Sequence, residues 1–71
     1  EIYERKISIE QLYAAISSLP NKQAKRIYAY YFLGMNKTAI AKEESVSKAT
    51  VGRAIVRGLR NMETYLKKYS E

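Results

Sequence analysis

The stretch EESVSKATVGRAIVRGLRNM, residues 43–62, decides the fold. Ser47 carries a hydroxyl that can cap a helix beginning at Lys48, because the first backbone N–H groups of a helix have no partner within it. From Val51 onward apolar residues recur every three or four positions, which is the period of an amphipathic helix. Basic residues occupy the other side. The stretch predicts a last helix from Lys48 to about Tyr69 with one apolar and one cationic face.

The two faces of this predicted helix differ in residue type. The apolar face consists of Val51, Ala54, Ile55, Gly58, Leu59, Met62, Tyr65, Leu66 and Tyr69. The opposite face consists of Ala49, Gly52, Arg53, Val56, Arg57 and Arg60. A glycine in a helix costs about 1 kcal/mol relative to alanine, so both glycines need a reason. We interpret Gly58 as a point where a neighbouring helix crosses closely, and Gly52 as clearance for a ligand that binds the cationic face.

Three shorter helices are predicted before it. Ser8 caps the first, over residues 8–18, and Pro20 ends it. The second covers about residues 21–33 and ends before Gly34. Asn36 caps a short third helix. The predicted core positions of the first two helices are Ile9, Leu12, Tyr13, Ile16, Leu19, Ala24, Ile27, Tyr28, Tyr31 and Phe32, and the basic residues off the stripe are Lys22, Lys25 and Arg26.

Only about three residues, 44–46, separate the third helix from the last. Two helices joined by a turn of three to four residues form a helix-turn-helix, in which the second helix enters the DNA major groove. We therefore expect an all-α fold: one small four-helix domain over residues 1–71, containing a helix-turn-helix with a long C-terminal recognition helix.

The amino-acid composition limits the classes of function that fit the chain. Thirteen Lys and Arg residues against seven acids give the 71-residue chain a net charge of +6, which matches a polyanion. Cysteine and histidine are absent, so we expect a non-enzyme without a metal or cofactor. No apolar run reaches the eighteen or so residues that a membrane span needs, and no signal-peptide pattern opens the chain, so we expect a cytoplasmic location.

The first turns of the last helix combine small side chains with cations. Small side chains let a helix backbone approach base edges, Arg can contact guanine through two hydrogen bonds, and Lys can pair with phosphate. Lys48 is unfavourable beside the positive end of the helix dipole, which favours a choice driven by a ligand. The alternative is that Arg53, Arg57 and Arg60 form an ordinary solvated face. Tyr30 is left without a role.

Several short motifs, taken in order, resemble the fourth conserved region of bacterial sigma factors. They are Leu19-Pro20, Tyr31-Phe32 with Gly34, Ile40-Ala41, Ser47 to Val51, and Leu59-Arg60. The resemblance covers about residues 12–62. It departs from the family at Ala39, where an acid is common, and in the length of the last helix. Response-regulator and other activator domains share the Ser-x-x-Thr-Val core.

The resemblance implies a domain that recognises the upstream (−35) promoter element of double-stranded DNA while it holds the flap of the RNA polymerase beta subunit. The flap would dock on apolar surface left by the first two helices. Lys37 and Thr38 would lie near the phosphate backbone. Our candidate DNA-binding residues are Lys37, Thr38, Ser47, Lys48, Ala49, Thr50, Gly52, Arg53 and Arg57.

Two other functions fit the same sequence. One is a free-standing helix-turn-helix regulator that binds DNA as a dimer through Tyr65, Leu66 and Tyr69. The other is a basic amphipathic module that binds a membrane surface or a partner protein without DNA. We expect the sigma-like protein to be a monomer with no membrane partner, so solution mass and liposome binding separate the three.

Overall fold

The structure, a computed structural model, describes residues 7–69 apart from the Tyr69 side chain, whose predicted place on the apolar face lies outside the described part. Four helices build it: α1 (Ile9–Ser17), α2 (Asn21–Tyr31), α3 (Lys37–Glu44) and α4 (Lys48–Tyr69). The predicted all-α, four-helix fold is confirmed. The second helix ends two residues earlier than predicted, with Phe32 as its C-cap residue and Gly34 in the left-handed region at φ 72°.

The three predicted N-caps are present. The Ser8 hydroxyl accepts a hydrogen bond from the Gln11 backbone N–H at 3.0 Å, and the Gln11 side chain accepts one from Ser8 in return. Asn36 Oδ1 accepts from Ala39 N–H at 2.8 Å. Ser47 Oγ accepts from Thr50 N–H at 3.1 Å. Caps of this kind stabilise a helix by about 1 kcal/mol, so local sequence marks the helix starts strongly.

Residues 45–47 form the turn of a helix-turn-helix between α3 and α4. Ser45 adopts the left-handed conformation at φ 59°, which ends α3. The Val46 N–H then donates to the Ala41 carbonyl at 3.0 Å, and Val46 packs against the core. The short connection makes the start of α4 depend directly on the end of α3.

The core lies along one side of α4, which packs against all three other helices. Val51 and Ile27 are its largest fully buried side chains. The buried cluster consists of Ala15, Ile16, Leu19, Ile27, Ala29, Ile40, Ala41, Val51, Ile55 and Met62. The helical phase predicted for α4 is therefore right over its first four turns, except that Leu59 at the edge of the stripe is exposed.

The core positions predicted for α1 and α2 are partly wrong. Ile9 is 63% exposed. The predicted core residues Tyr13, Tyr28, Tyr31 and Phe32 are also exposed. Short helices that pack mainly against α4 bury a narrow strip, and the small residues Ala15 and Ala29 fill that strip because they allow close approach. Tyr30, which had no role, is half-buried and packs against the core.

Arg26 is buried, although it lies off the predicted apolar stripe of the second helix. It donates from Nε and Nη2 to Oε1 of Glu44, the last residue of α3, at 2.9 and 2.6 Å. The hydrogen bond from Arg26 is the main reason that the pKa of Glu44 lies below its ordinary value. The carboxylate therefore stays charged at neutral pH, and the pair links α2 to α3.

Truncation of neighbouring residues tests the phase of α4. Ile55 is 3% exposed and Val56 is 51% exposed. We expect Ile55→Ala to lower the free energy of unfolding by about 2–5 kcal/mol, because it leaves a cavity, and Val56→Ala to lower it by well under 1 kcal/mol. Urea denaturation of both variants measures this. Equal losses would mean that the two faces are misassigned.

Candidate nucleic-acid interface

A cationic groove runs between the start of α3 and the exposed face of α4. We call it the α3–α4 groove; it has a volume of about 420 Å³, and its lining residues are Lys37, Ala49, Gly52, Arg53, Val56, Arg57 and Arg60. Five of the nine residues that the sequence suggested for DNA binding thus line one groove: Lys37, Ala49, Gly52, Arg53 and Arg57. The groove contains no acidic side chain.

A second recess lies where the starts of α3 and α4 come together. Its lining residues are Tyr30, Asn36, Lys37, Thr38 and Lys48. The Lys37 ammonium lies over the Tyr30 ring, 5.7 Å from its centroid, a contact that orients the cation without neutralising it. Lys37, Thr38 and Lys48 were candidates from separate parts of the sequence, and the fold places them side by side.

A third recess, between the start of α2 and α4, contains a residue that sequence reasoning missed. Lys22 and Gln23 line it together with Thr50, Arg53 and Arg57. Gln23 also accepts a hydrogen bond from Asn61 in α4 at 3.1 Å, which holds α2 beside α4. In the sequence Lys22 is a basic residue off the core stripe, but nothing there indicates that the start of α2 lies next to the basic face of α4.

Apart from Arg26, which lines the recess beside α2 and is paired with Glu44, the cations of these three surfaces have no ion-pair partner among the described residues. The other salt bridge among the described residues joins Lys67 to Glu63, which follow Arg60 toward the C-terminal end of α4. Arg53 and Arg57 line both the α3–α4 groove and the recess beside α2. Unpaired charge at this density repels itself in the free protein, so it favours a bound polyanion.

Ser47 and Thr50 have a visible structural role. Their hydroxyls are 2.9 Å apart, and Ser47 also accepts the backbone hydrogen bond that caps α4. Both residues lie at the end of α4 that carries Lys48. Their contact with DNA stays a prediction.

The two glycines of α4 differ in their surroundings. A Cβ at Gly58 would lie 2.9 Å from Ile27 Cγ1 and 3.1 Å from Ile27 Cδ1, which confirms that a neighbouring helix crosses closely there. At Gly52 no atom lies within 4 Å of the corresponding point. Nothing inside the described part of the protein explains this second glycine, and its open position on the basic face is what clearance for a ligand requires.

Comparison with known families identifies the arrangement. The model of the family described as sigma-70, region 4 matches residues 9–62, from the first residue of α1 to Met62 in α4. The chain belongs to this family. No curated protein and no solved structure gives a significant match.

Membership in this family indicates the function at the level of the family. Sigma-70 region 4 domains bind DNA in transcription, where they recognise the −35 element and interact with RNA polymerase. It is a family of DNA-binding domains rather than of enzymes. In the part of the chain that the structure describes, every helix is too short or too polar to cross a membrane.

Alanine at each glycine separates packing from ligand clearance. We expect Gly52→Ala to raise the free energy of unfolding by up to about 1 kcal/mol, because the site is open and alanine favours helix. The same change should weaken DNA binding. Gly58→Ala should instead destabilise the domain, since the new methyl group displaces buried Ile27. Urea denaturation and DNA titration measure both effects. A Gly52→Ala protein that binds DNA like the wild type would remove the clearance argument.

Proposed function

We propose that this domain recognises the −35 element of a promoter with the first half of α4 in the major groove, as part of transcription initiation by RNA polymerase. One observation carries the proposal: in a sigma-70 region 4 domain, an open groove joins unpaired cations from α3 and α4 around two small residues, Ala49 and Gly52. The small residues give the helix backbone room to approach base edges.

The cations divide into those at the centre and those at the edges of this surface. Arg53 is exposed and, like Arg57, borders the recesses on both sides of α4, but it lies one turn nearer to the start of the helix and directly after Gly52. We assign it to a base, because its guanidinium can contact guanine through two hydrogen bonds. Lys37 and Lys48 lie on one side of α4 and Lys22 on the other. Their positions on the two sides of α4 support contacts with the phosphates of the two DNA strands that border the major groove.

A separate apolar surface supports docking on polymerase. Tyr13 and Tyr28 both stack against Phe32, with ring centroids 5.7 and 5.2 Å apart. Exposed apolar side chains around these rings include Tyr31, Leu33 and Leu59. A cavity of about 310 Å³ beside them is lined by Leu12, Tyr31, Phe32 and Leu59 and shares no residue with the cationic recesses. Exposed apolar patches of this kind mark protein interfaces. We assign the patch to the flap of the beta subunit.

The C-terminal end of α4 helps to distinguish a sigma-like monomer from a dimeric helix-turn-helix regulator. Tyr65 and Leu66 are half-buried and pack against the hydrophobic core, so they leave little apolar surface for a partner copy. This favours a monomer that works with polymerase over a regulator that binds as a dimer. Analytical ultracentrifugation distinguishes the two, since a dimer would favour the alternative.

Salt dependence tests the electrostatic basis of the proposal. If Lys22, Lys37, Lys48 and Arg57 neutralise four phosphates, the logarithm of the affinity for duplex DNA should fall against the logarithm of the salt concentration with a slope of about −3 to −4. Fluorescence anisotropy between 50 and 300 mM salt, roughly the range over which such losses are measured, gives the slope. Binding to anionic liposomes but not to duplex DNA would contradict the proposal.

Alanine substitutions at Arg53 and at Lys48 should weaken DNA binding in different ways. We expect Arg53→Ala to weaken binding to the preferred site by about 1–3 kcal/mol and to relax selection at one base position. Lys48→Ala should weaken all sequences alike and reduce the salt slope by about one unit. Selection from a random duplex library measures both. Lys67→Ala, a charge change at the exposed far end of α4, is the control. Equal losses on preferred and random DNA for Arg53→Ala would make Arg53 a phosphate contact.

A further inference from the structure

Arg26 is the one charged residue among the buried residues that the structure describes, with 6% of its surface exposed. Its Nε and Nη2 both donate to Oε1 of Glu44. Two hydrogen bonds from one planar guanidinium constrain direction as well as distance. The pair therefore fixes how the end of α3 sits against α2.

Stability alone does not account for this pair. Arg26 is buried, and the Glu44 side chain is 17% exposed. The loss of hydration opposes the attraction between charges so placed, and apolar residues of similar volume are often as stable or more stable. The contact between α2 and α3 is also the least extensive in the described fold, whereas both helices pack closely on α4. A directional link thus lies between the two contacting helices whose mutual contact is the least extensive.

The position of the pair connects it to the DNA-binding face. Glu44 directly precedes the turn at residues 45–47, which is held by the hydrogen bond from Val46 to Ala41. A shift of Glu44 therefore moves Lys48 at the start of α4. Lys37 lies at the other end of the same short helix α3. Arg26 itself lines the recess that contains Arg53 and Arg57, so without Glu44 it would join the cationic surface.

We propose that Arg26 and Glu44 are positioning residues for DNA recognition. They hold the starts of α3 and α4 at the spacing that base reading requires, and Glu44 keeps Arg26 from acting as a non-specific phosphate contact. This inference rests on the proposed function. The pair contributes to the choice between sequences more than to the affinity for DNA.

The first test replaces both charges with apolar groups. The variant Arg26→Met/Glu44→Leu should fold, because apolar pairs tolerate this kind of exchange. Its discrimination, the dissociation constant for random duplex divided by that for the preferred site, should fall on the order of tenfold, about what one bidentate base contact supplies. Both constants are measured by anisotropy on fully folded protein, as judged by circular dichroism.

A second test uses neighbouring glutamates of α3. Glu44→Gln and Glu43→Gln each raise the net charge by one, but Glu43 is exposed and forms no ion pair with any residue that the structure describes. Glu44→Gln should bind random DNA more tightly, steepen the salt slope by about one unit as Arg26 gains a phosphate, and discriminate less well. Glu43→Gln should keep the wild-type discrimination.

The outcomes separate the inference from the function beneath it. Wild-type discrimination in the folded double variant, or equal discrimination in the two glutamine variants, overturns the positioning role, because a purely structural role changes the melting temperature and not this ratio. If the double variant does not fold, the glutamine pair decides. A wild-type protein that does not bind duplex DNA overturns the proposed function and the inference with it.

Discussion

The packing of α4 against α2 at Gly58 is the contact on which the rest of the structure depends. Ile27, one of the two largest fully buried side chains, lies so close to Gly58 that a Cβ there would be 2.9 Å from Ile27 Cγ1. The close approach lets Val51 and Ile55 on one side and Met62 on the other enter a single core. A domain of this size has little apolar area to spare, so one well-packed crossing carries much of its stability.

One helix serves both as the centre of the core and as the candidate DNA-reading element, so its two faces require different residue types. The buried face admits only apolar and small residues. Between Arg53 and Arg60 the exposed face carries cations that have no acidic partner among the described residues, an arrangement that lowers the stability of the free protein and suits a polyanionic ligand. Gly52 also lowers the stability of the helix, and no atom of another described helix lies within 4 Å of the point where its Cβ would be.

Local signals in the sequence were enough for the helices and the turn. Ser8, Asn36 and Ser47 start helices through hydrogen bonds to residues three positions away, so their effect can be read from short segments. Interactions across the fold could not be read in this way. The burial of Arg26 depends on Glu44, 18 residues later, and the value of Lys22 as a site residue depends on the place of α2 beside α4. The exposed aromatic residues of α1 and α2 were wrongly predicted to be buried, because the helical period shows which way a side chain points but not how deeply it is buried.

The central claim is that DNA lies against the starts of α3 and α4. Titration of isotope-labelled protein with a duplex that carries its preferred site, followed by backbone amide NMR shifts, tests this most directly. The account expects the largest changes at residues 37–38 and 47–53, and small changes at Tyr13 and Leu33 on the apolar patch. Changes concentrated on that patch, or on the last two turns of α4, would contradict it.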